Sequence, residues 1–510
     1  MEDAQRHNFL AEIAKRDEEI RLLKEKVDFL IRKLFGKSSE QLDPNQLELL
    51  LGPDAAKKAA AAGVLDDAPA AEALNVIPFK KPAKPRKIRL PEDLPVEEII
   101  LDPDPVRANP HGYRCIGEEV SEQLDYRPGK FLRRRTVRRK YVKLSDIDAT
   151  PIIAMLPNKL QDGCLATPGL IAEIVANKYT YHLPFYRQEQ LFRQRHRVEV
   201  SRQNMIHWEA LAADWLRPIY ELLREKVIAT SVLQADETCI HYLDKGSGKA
   251  QHGYLWVYRN PQDQLFFEWH DNRAHTCLEK TLEHFKGVLQ TDGYAAYDTY
   301  CNRRNQGKTV DITQAACWAH VRRKFFETTT SNGKHSQPVA WILRQISHLY
   351  QIEAQLRQSS AGPCLIQAIR ASNSRMIHQR LGLYFSKLAQ RILPQSSLGQ
   401  ALSYALKLWP RLGVYLTNGS VQIDTNLIEN AIRPTAIGKK NWLFFGTPKS
   451  GYKAALFYTL IENCRRLGID PHAYLKDVLE RLPDMTNRQV HTLLPEMWLA
   501  REKAIRKASC

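Results

Sequence analysis

No Cys-x-x-Cys pair occurs anywhere in the 510 residues. The nine cysteines, at 115, 164, 239, 277, 301, 317, 364, 464 and 510, are scattered and odd in number. This excludes a zinc ribbon built from paired thiolates and a secreted disulfide framework, and it fits reduced thiols in the cytosol. An apolar signal core is missing too, because MEDAQRHNFLAEIAKRDEE is charged from its start. No run approaches the ~18 uninterrupted apolar residues of a membrane span. Acidic excess is also lacking: 74 Lys and Arg stand against 57 Asp and Glu, a net charge of +17. Such a balance suits a polyanion, nucleic acid first. A basic soluble chain without that partner is the alternative.

The pattern along the chain predicts a multidomain α+β protein. In residues 5–35, Ile13, Ile20, Val27 and Leu34 recur at heptad spacing. Phe9, Leu23 and Leu30 fill the alternating row, which Arg16 interrupts. This predicts a short coiled coil, with an amphipathic helix packed on its own chain as the alternative. Residues 36–90 read as a flexible basic linker, richest in Ala, Pro and Lys from 52 onward. Residues 91–160 form a small basic β region. In FLRRRTVRRKYVKL, Arg133 shares one strand face with Phe131, while Arg134, Arg138 and Lys140 share the other. A phosphate-contacting surface is one use for these four cations, and a solvated edge strand is the other.

Residues 161–228 read as helices. Thr167-Pro168, Leu183-Pro184 and Ser201 mark three starts. The short link before Ser201 resembles a helix-turn-helix. Arg202 and Asn204 then open the second helix, where base-reading groups sit. A purely structural helix pair reads the same way.

Strands take over from 229. VLQAD, GYLWVYRN and QLFFEWH precede a helix over HTCLEKTLEHFK, a strand GVLQTD, a strand ITQAACWAH and a helix VRRKFFET. Three strands, a helix and a fourth strand give the order of a ribonuclease H-like core, first part 229–329. Residues 330–420 interrupt it with a helical pattern, and 421–510 complete it. Asp236 closes Val232-Leu233-Gln234-Ala235, and Asp292 closes Val288-Leu289-Gln290-Thr291. Two such strands side by side bring both carboxylates to one rim. Glu429, in DTNLIENAIRP, is placed to add a third. Three hard oxygen donors suit Mg²⁺ or Mn²⁺ and two-metal phosphodiester chemistry. Taken singly, each of the three also reads as a turn former or a helix-surface residue.

KLFGKSSEQL, GEEVSEQLDYRPGKF, the ADET and TDGYAAY blocks, CWAHVRRKF, ENAIRPTAIGKKNWLFFGT and GIDPHAYLKDVLERLP occur in that order. Together they resemble transposases of the insertion sequence 66 family, TnpC type. The resemblance implies a DDE transposase with Asp236, Asp292 and Glu429 as catalytic, metal-holding triad. It implies binding to the element's terminal inverted repeats and to target DNA, self-association as a dimer or larger assembly, and small accessory proteins of the same element. A bacterial cytoplasmic protein, at the nucleoid when DNA-bound, is expected. Relatives carry two Cys-x-x-Cys pairs around the GEEVSEQLDY block. Here Asn109-Pro110-His111-Gly112 and Lys143-Leu144-Ser145-Asp146 stand in their place, so zinc is not expected.

Cys317-Trp318-Ala319-His320 resembles an element following the second aspartate in several DDE transposases. His320 either orients the scissile phosphate or is packed structurally. Arg433, Lys439 and Lys440 follow Glu429 as phosphate contacts, with solvated helix charges as the alternative. Trp442 reads as a base-stacking or a core residue. Other readings of the whole are a non-catalytic DNA-binding regulator and a metal-dependent nuclease without strand transfer.

Overall fold

The computed structural model describes residues 129, 131, 140–141, 152–153, 158–244, 249–306, 310–328 and 335–508. The expected coiled coil, the linker, the replaced cysteine positions and Arg133, Arg134 and Arg138 lie outside them. Lys140 is described only as backbone of a two-residue strand, β1 (Lys140–Tyr141), paired with β2 (Ile152–Ile153).

The architecture is mixed α+β. Helices α1 (Pro168–Tyr179), α2 (Phe185–His196) and α3 (Arg202–Ile228) come first. The expected starts hold locally. The Thr167 hydroxyl accepts the Leu170 N–H at 3.3 Å, and the Ser201 hydroxyl accepts that of Asn204 at 3.3 Å. Arg197 ends α2 in the left-handed region, φ 55°. The sheet follows: β3 (Val232–Leu243), β4 (Ala250–Arg259), β5 (Leu265–His270), β6 (Gly287–Gln290) and β7 (Ile312–Ala315). Their spatial order is β5-β4-β3-β6-β7. The first three are antiparallel, and β6 and β7 run parallel to β3. Helices α4 (Thr276–Thr281) and α5 (Ala295–Arg304) make the crossovers.

Alternation along the strands fills two cores. Leu233, Ala235, Trp256, Tyr258, Phe266 and Leu289 turn to one. Val232 and Ala315 turn to the other, built with α6 (Trp318–Phe326), α7 (Gln337–Gln358), α9 (Arg375–Ala389) and α10 (Ser397–Leu412). Between α7 and α9 lie α8 (Pro363–Ile369) and a π turn at Arg370–Ser374. Arg370 is 1% exposed and bridges the Glu353 carboxylate through two hydrogen bonds of 2.7 Å. It also donates to the carbonyls of Tyr415 at 3.0 Å and Val421 at 2.8 Å. The helical segment is thereby fixed to the approach to α11 (Asn426–Trp442).

The chain closes with α12 (Pro448–Arg466), α13 (Pro471–Arg481) and α14 (Pro495–Ala508). Helix α12 covers the β5 edge chemically. Thr459 accepts the Phe267 N–H at 2.9 Å, and Asn463 both accepts from Leu265 N at 3.0 Å and donates to its carbonyl at 2.7 Å. An edge strand is thus denied to other chains.

Two expected elements differ. The strand read over ITQAACWAH stops at Ala315, and a helix starts at Trp318. The backbone leaves β6 there because Ala316 N binds the Arg411 carbonyl at 3.1 Å and Trp318 N that of Ile423 at 3.1 Å. Trp318, Val321 and Phe325 then bury one helical face. The helix read over HTCLEKTLEHFK is only Thr276–Thr281; a turn follows, and Leu282 and Phe285 are buried from it.

Candidate active site

Parallel pairing sets the first two carboxylates. Val232 faces Val288, Leu233 faces Leu289 and Gln234 faces Gln290. Asp236 and Asp292 lie equally far beyond that register, one continuing β3 and one leaving β6. Gly293, at φ +90°, turns the chain immediately after Asp292. The Asp292 carboxylate accepts the Tyr294 N–H at 2.9 Å, and its backbone carbonyl accepts the Tyr404 hydroxyl at 3.1 Å.

Glu429 arrives from a remote part of the sequence, and two buried amides hold the segment that leads to it. The Gln234 amide donates to the Gln290 side chain at 2.9 Å and to the Asp424 carbonyl at 3.0 Å. Gln290 donates to the Gln422 carbonyl at 2.7 Å, and Arg259 Nη1 donates to Gln234 at 3.2 Å. Segment 422–424 is therefore bracketed onto β3 and β6 just before α11 begins. The Thr425 hydroxyl donates to Glu429 at 3.1 Å, and the Thr425 N–H reaches Cys317 Sγ at 3.3 Å. His320 Nδ1 stands 3.9 Å from Glu429.

Asp236 accepts the backbone N–H of Glu237 at 2.8 Å. Burial and the adjacent charges of Glu237, Asp292 and Glu429 push its carboxyl up to about 8. Asp292 and Glu429, the other two acidic residues read from the sequence, thus both lie near enough to act on Asp236. Burial pushes the Cys317 thiol up to about 11, so it remains a thiol. Behind the site, Glu237 pairs with Arg273 and accepts the Tyr297 hydroxyl at 2.6 Å. The Arg273 guanidinium lies 3.6 Å from the centre of the Tyr294 ring.

The predicted basic residues divide. Arg433 and Lys440 are exposed and share the Glu429 face of α11 by helical spacing. Lys439 is turned aside and donates to the Cys239 carbonyl at 3.0 Å. Trp442 is packed, stacking on Phe445 with ring centres 4.8 Å apart. At the start of α3, Arg202 pairs with Glu189 at 3.0 Å, and Asn204 is exposed.

Sequence reasoning missed Gln234, Gln290, Glu237 and Arg273. The glutamines had one signal, the same amide two positions before each aspartate.

Residues 163–453 match the family described as Transposase IS66 family. The chain belongs to the IS66 transposase family. Residues 459–495 match its C-terminal element, and residues 22–99 match a family described as Transposase C of IS166 homeodomain. Among curated relatives, uncharacterized protein y4jD of Sinorhizobium fredii is 31% identical over 493 residues, 94% of each chain. Uncharacterized protein y4qI of the same organism is 32% identical over 412 residues, 79% of this chain and 75% of that one. The IS66 family match spans all three carboxylates, the bracketing amides and the whole helical segment between Asp292 and Glu429. No helix among the described residues is long and apolar enough to cross a membrane.

Proposed function

We propose that this IS66-family chain is a DDE transposase that cuts DNA at the ends of its element and joins them to target DNA, with Asp236, Asp292 and Glu429 as catalytic triad on a ribonuclease H-like core. The single observation that carries this is that burial and the nearby charges of Glu237, Asp292 and Glu429 together hold the Asp236 carboxyl near 8. The sheet order, with three antiparallel strands and two parallel ones, supports the core assignment.

The donor set fits a hard divalent cation. All three donors are carboxylates, and the charges acting most strongly on Asp236 are negative ones. Mg²⁺ or Mn²⁺ bound there would activate the attacking oxygen and stabilise the leaving one. The chain's own groups do the positioning. Asp292 is oriented by the Tyr294 N–H and Glu429 by the Thr425 hydroxyl. Arg433 and Lys440, exposed on the Glu429 face, hold the DNA backbone. His320 stands beside Glu429 to orient the scissile phosphate. In the first step water opens the phosphodiester and frees a 3′-hydroxyl; in the second that hydroxyl attacks target DNA. No covalent protein–DNA bond is needed.

Arg202 and Asn204 at the start of α3, with the basic sequence carrying Arg133, Arg134, Arg138 and Lys140, supply end recognition in this reading. The heptad spacing of residues 5–35 would supply self-association. The test is a cleavage and joining assay on DNA carrying the element's ends. Asp236→Asn abolishes both products and leaves end binding within about twofold, since phosphate contacts dominate affinity. Cleavage without joined products would indicate a nuclease, and binding without cleavage by the native chain would indicate a regulator.

A further inference from the structure

The geometry points to a second cation site of different chemistry, made by Cys239, His241 and His252 and suited to zinc. Cys239 and His241 are two apart on β3 and share one face. His252 is directly opposite His241 on β4 and diagonal to Cys239. The thiol and the two imidazoles bring one ligand atom each within 4.8 Å of one another. Cys239 Sγ is already 3.3 Å from His252 Nδ1, and the two imidazole centres are 4.6 Å apart. Tetrahedral zinc, with bonds of about 2.3 Å to sulfur and 2.0–2.1 Å to nitrogen, needs ligand separations of roughly 3.3–3.6 Å. Both imidazoles are exposed, so small side-chain rotations close the remaining gap.

One thiolate and two imidazoles form a borderline-soft set. It favours Zn²⁺ and disfavours Mg²⁺ or Mn²⁺, the reverse of the three carboxylates. A fourth position is left for water, as in three-ligand zinc sites. Tyr254 stands directly across from Cys239 on β4. The same strand segment is anchored to the far end of α11. Lys439 donates to the Cys239 carbonyl at 3.0 Å, and the Phe445 N–H to that of His241 at 2.9 Å. A cation here would clasp β3 to β4 just beyond Asp236, on the segment that also holds the helix carrying Glu429. This departs from the expectation of no zinc, which rested on the replaced Cys-x-x-Cys pairs. It does not depend on the DNA chemistry.

The full chain, stripped with chelator, is titrated with Co²⁺ as the spectroscopic probe. One equivalent is expected to give a thiolate-to-cobalt charge-transfer band with tetrahedral d–d absorption, displaced by Zn²⁺ and unaffected by excess Mg²⁺. Cys239→Ser should abolish the band with an unchanged circular dichroism spectrum. His241→Ala and His252→Ala should each weaken binding about tenfold or more. Cys317→Ser, which alters the other thiol near a histidine and an acid, should keep the band. The inference is overturned if the native chain gives no band, if the band survives Cys239→Ser, or if Cys317→Ser removes it equally.

Discussion

Replacing Asp236 by Asn should stabilise the metal-free protein while destroying its activity. The Asp236 carboxyl is pushed from 3.8 up to about 8, first by burial and then by Glu237, Asp292 and Glu429. Within that window the folded chain holds a proton that the unfolded chain has released, so stability falls as pH rises. Full ionisation of the carboxyl corresponds to roughly 6 kcal/mol, and at pH 7 to about 4 kcal/mol. Residual solvent contact and side-chain relaxation bring a realistic gain for Asp236→Asn to about 2–3 kcal/mol near pH 7.5. Urea unfolding in chelator, followed by fluorescence, measures it. The two chains should converge below about pH 4, where the carboxyl is protonated in both states, and diverge from there up to about pH 8. Added Mg²⁺ should then raise the native chain and leave the variant nearly unmoved, because binding to the folded state alone stabilises it. Equal or lower stability of Asp236→Asn in chelator around pH 7.5 would refute the reasoning.

Gln234→Leu should cost about 2–4 kcal/mol, since it strips partners from Gln290, Arg259 and the Asp424 carbonyl in a buried setting. It should also slow cleavage on the order of 10–100-fold through misplacement of Glu429, with end binding unchanged. The Gln234→Leu, Gln290→Leu pair should cost less than the sum of its parts, which a double-mutant cycle in urea would check. Arg370→Met should cost about 3–5 kcal/mol by leaving Glu353 charged and buried. Adding Glu353→Met should recover most of that loss, as calorimetry on the three variants would show.

The repeated Val-Leu-Gln-x-Asp pattern made the pairing of β3 and β6 legible, because equal apolar runs ending in equal carboxylates suit adjacent parallel strands. What followed Asp236 was not legible. In ETCIHYL the adjacent polar pair Glu237 and Thr238 interrupts the apolar run, and alternation resumes only from Cys239, which hides the continuation of β3 to Leu243. That same alternation puts Cys239 and His241 on one face, but their partner His252 is fixed only by the hairpin register. The run ITQAACWAH shows the limit of apolar content as a signal. A buried strand and a buried helix start look alike over so few residues. Its decisive features are hydrogen bonds to Arg411 and Ile423, which lie far along the chain. Glu429 could be nominated by its neighbours, but its route to the sheet depends on two buried amides that no periodicity reveals.

The long helical segment between the second and third carboxylates also sets a clock. A ribosome adding 5–20 residues per second needs roughly 7–28 s to travel from Asp292 to Glu429. During that interval the nascent chain has both aspartates and neither the bracketed segment nor the glutamate. The helices before the sheet have already emerged. Under the proposed function, competence to cut would be among the last properties the growing polypeptide acquires, and a message truncated within the helical segment would yield a protein without the third carboxylate.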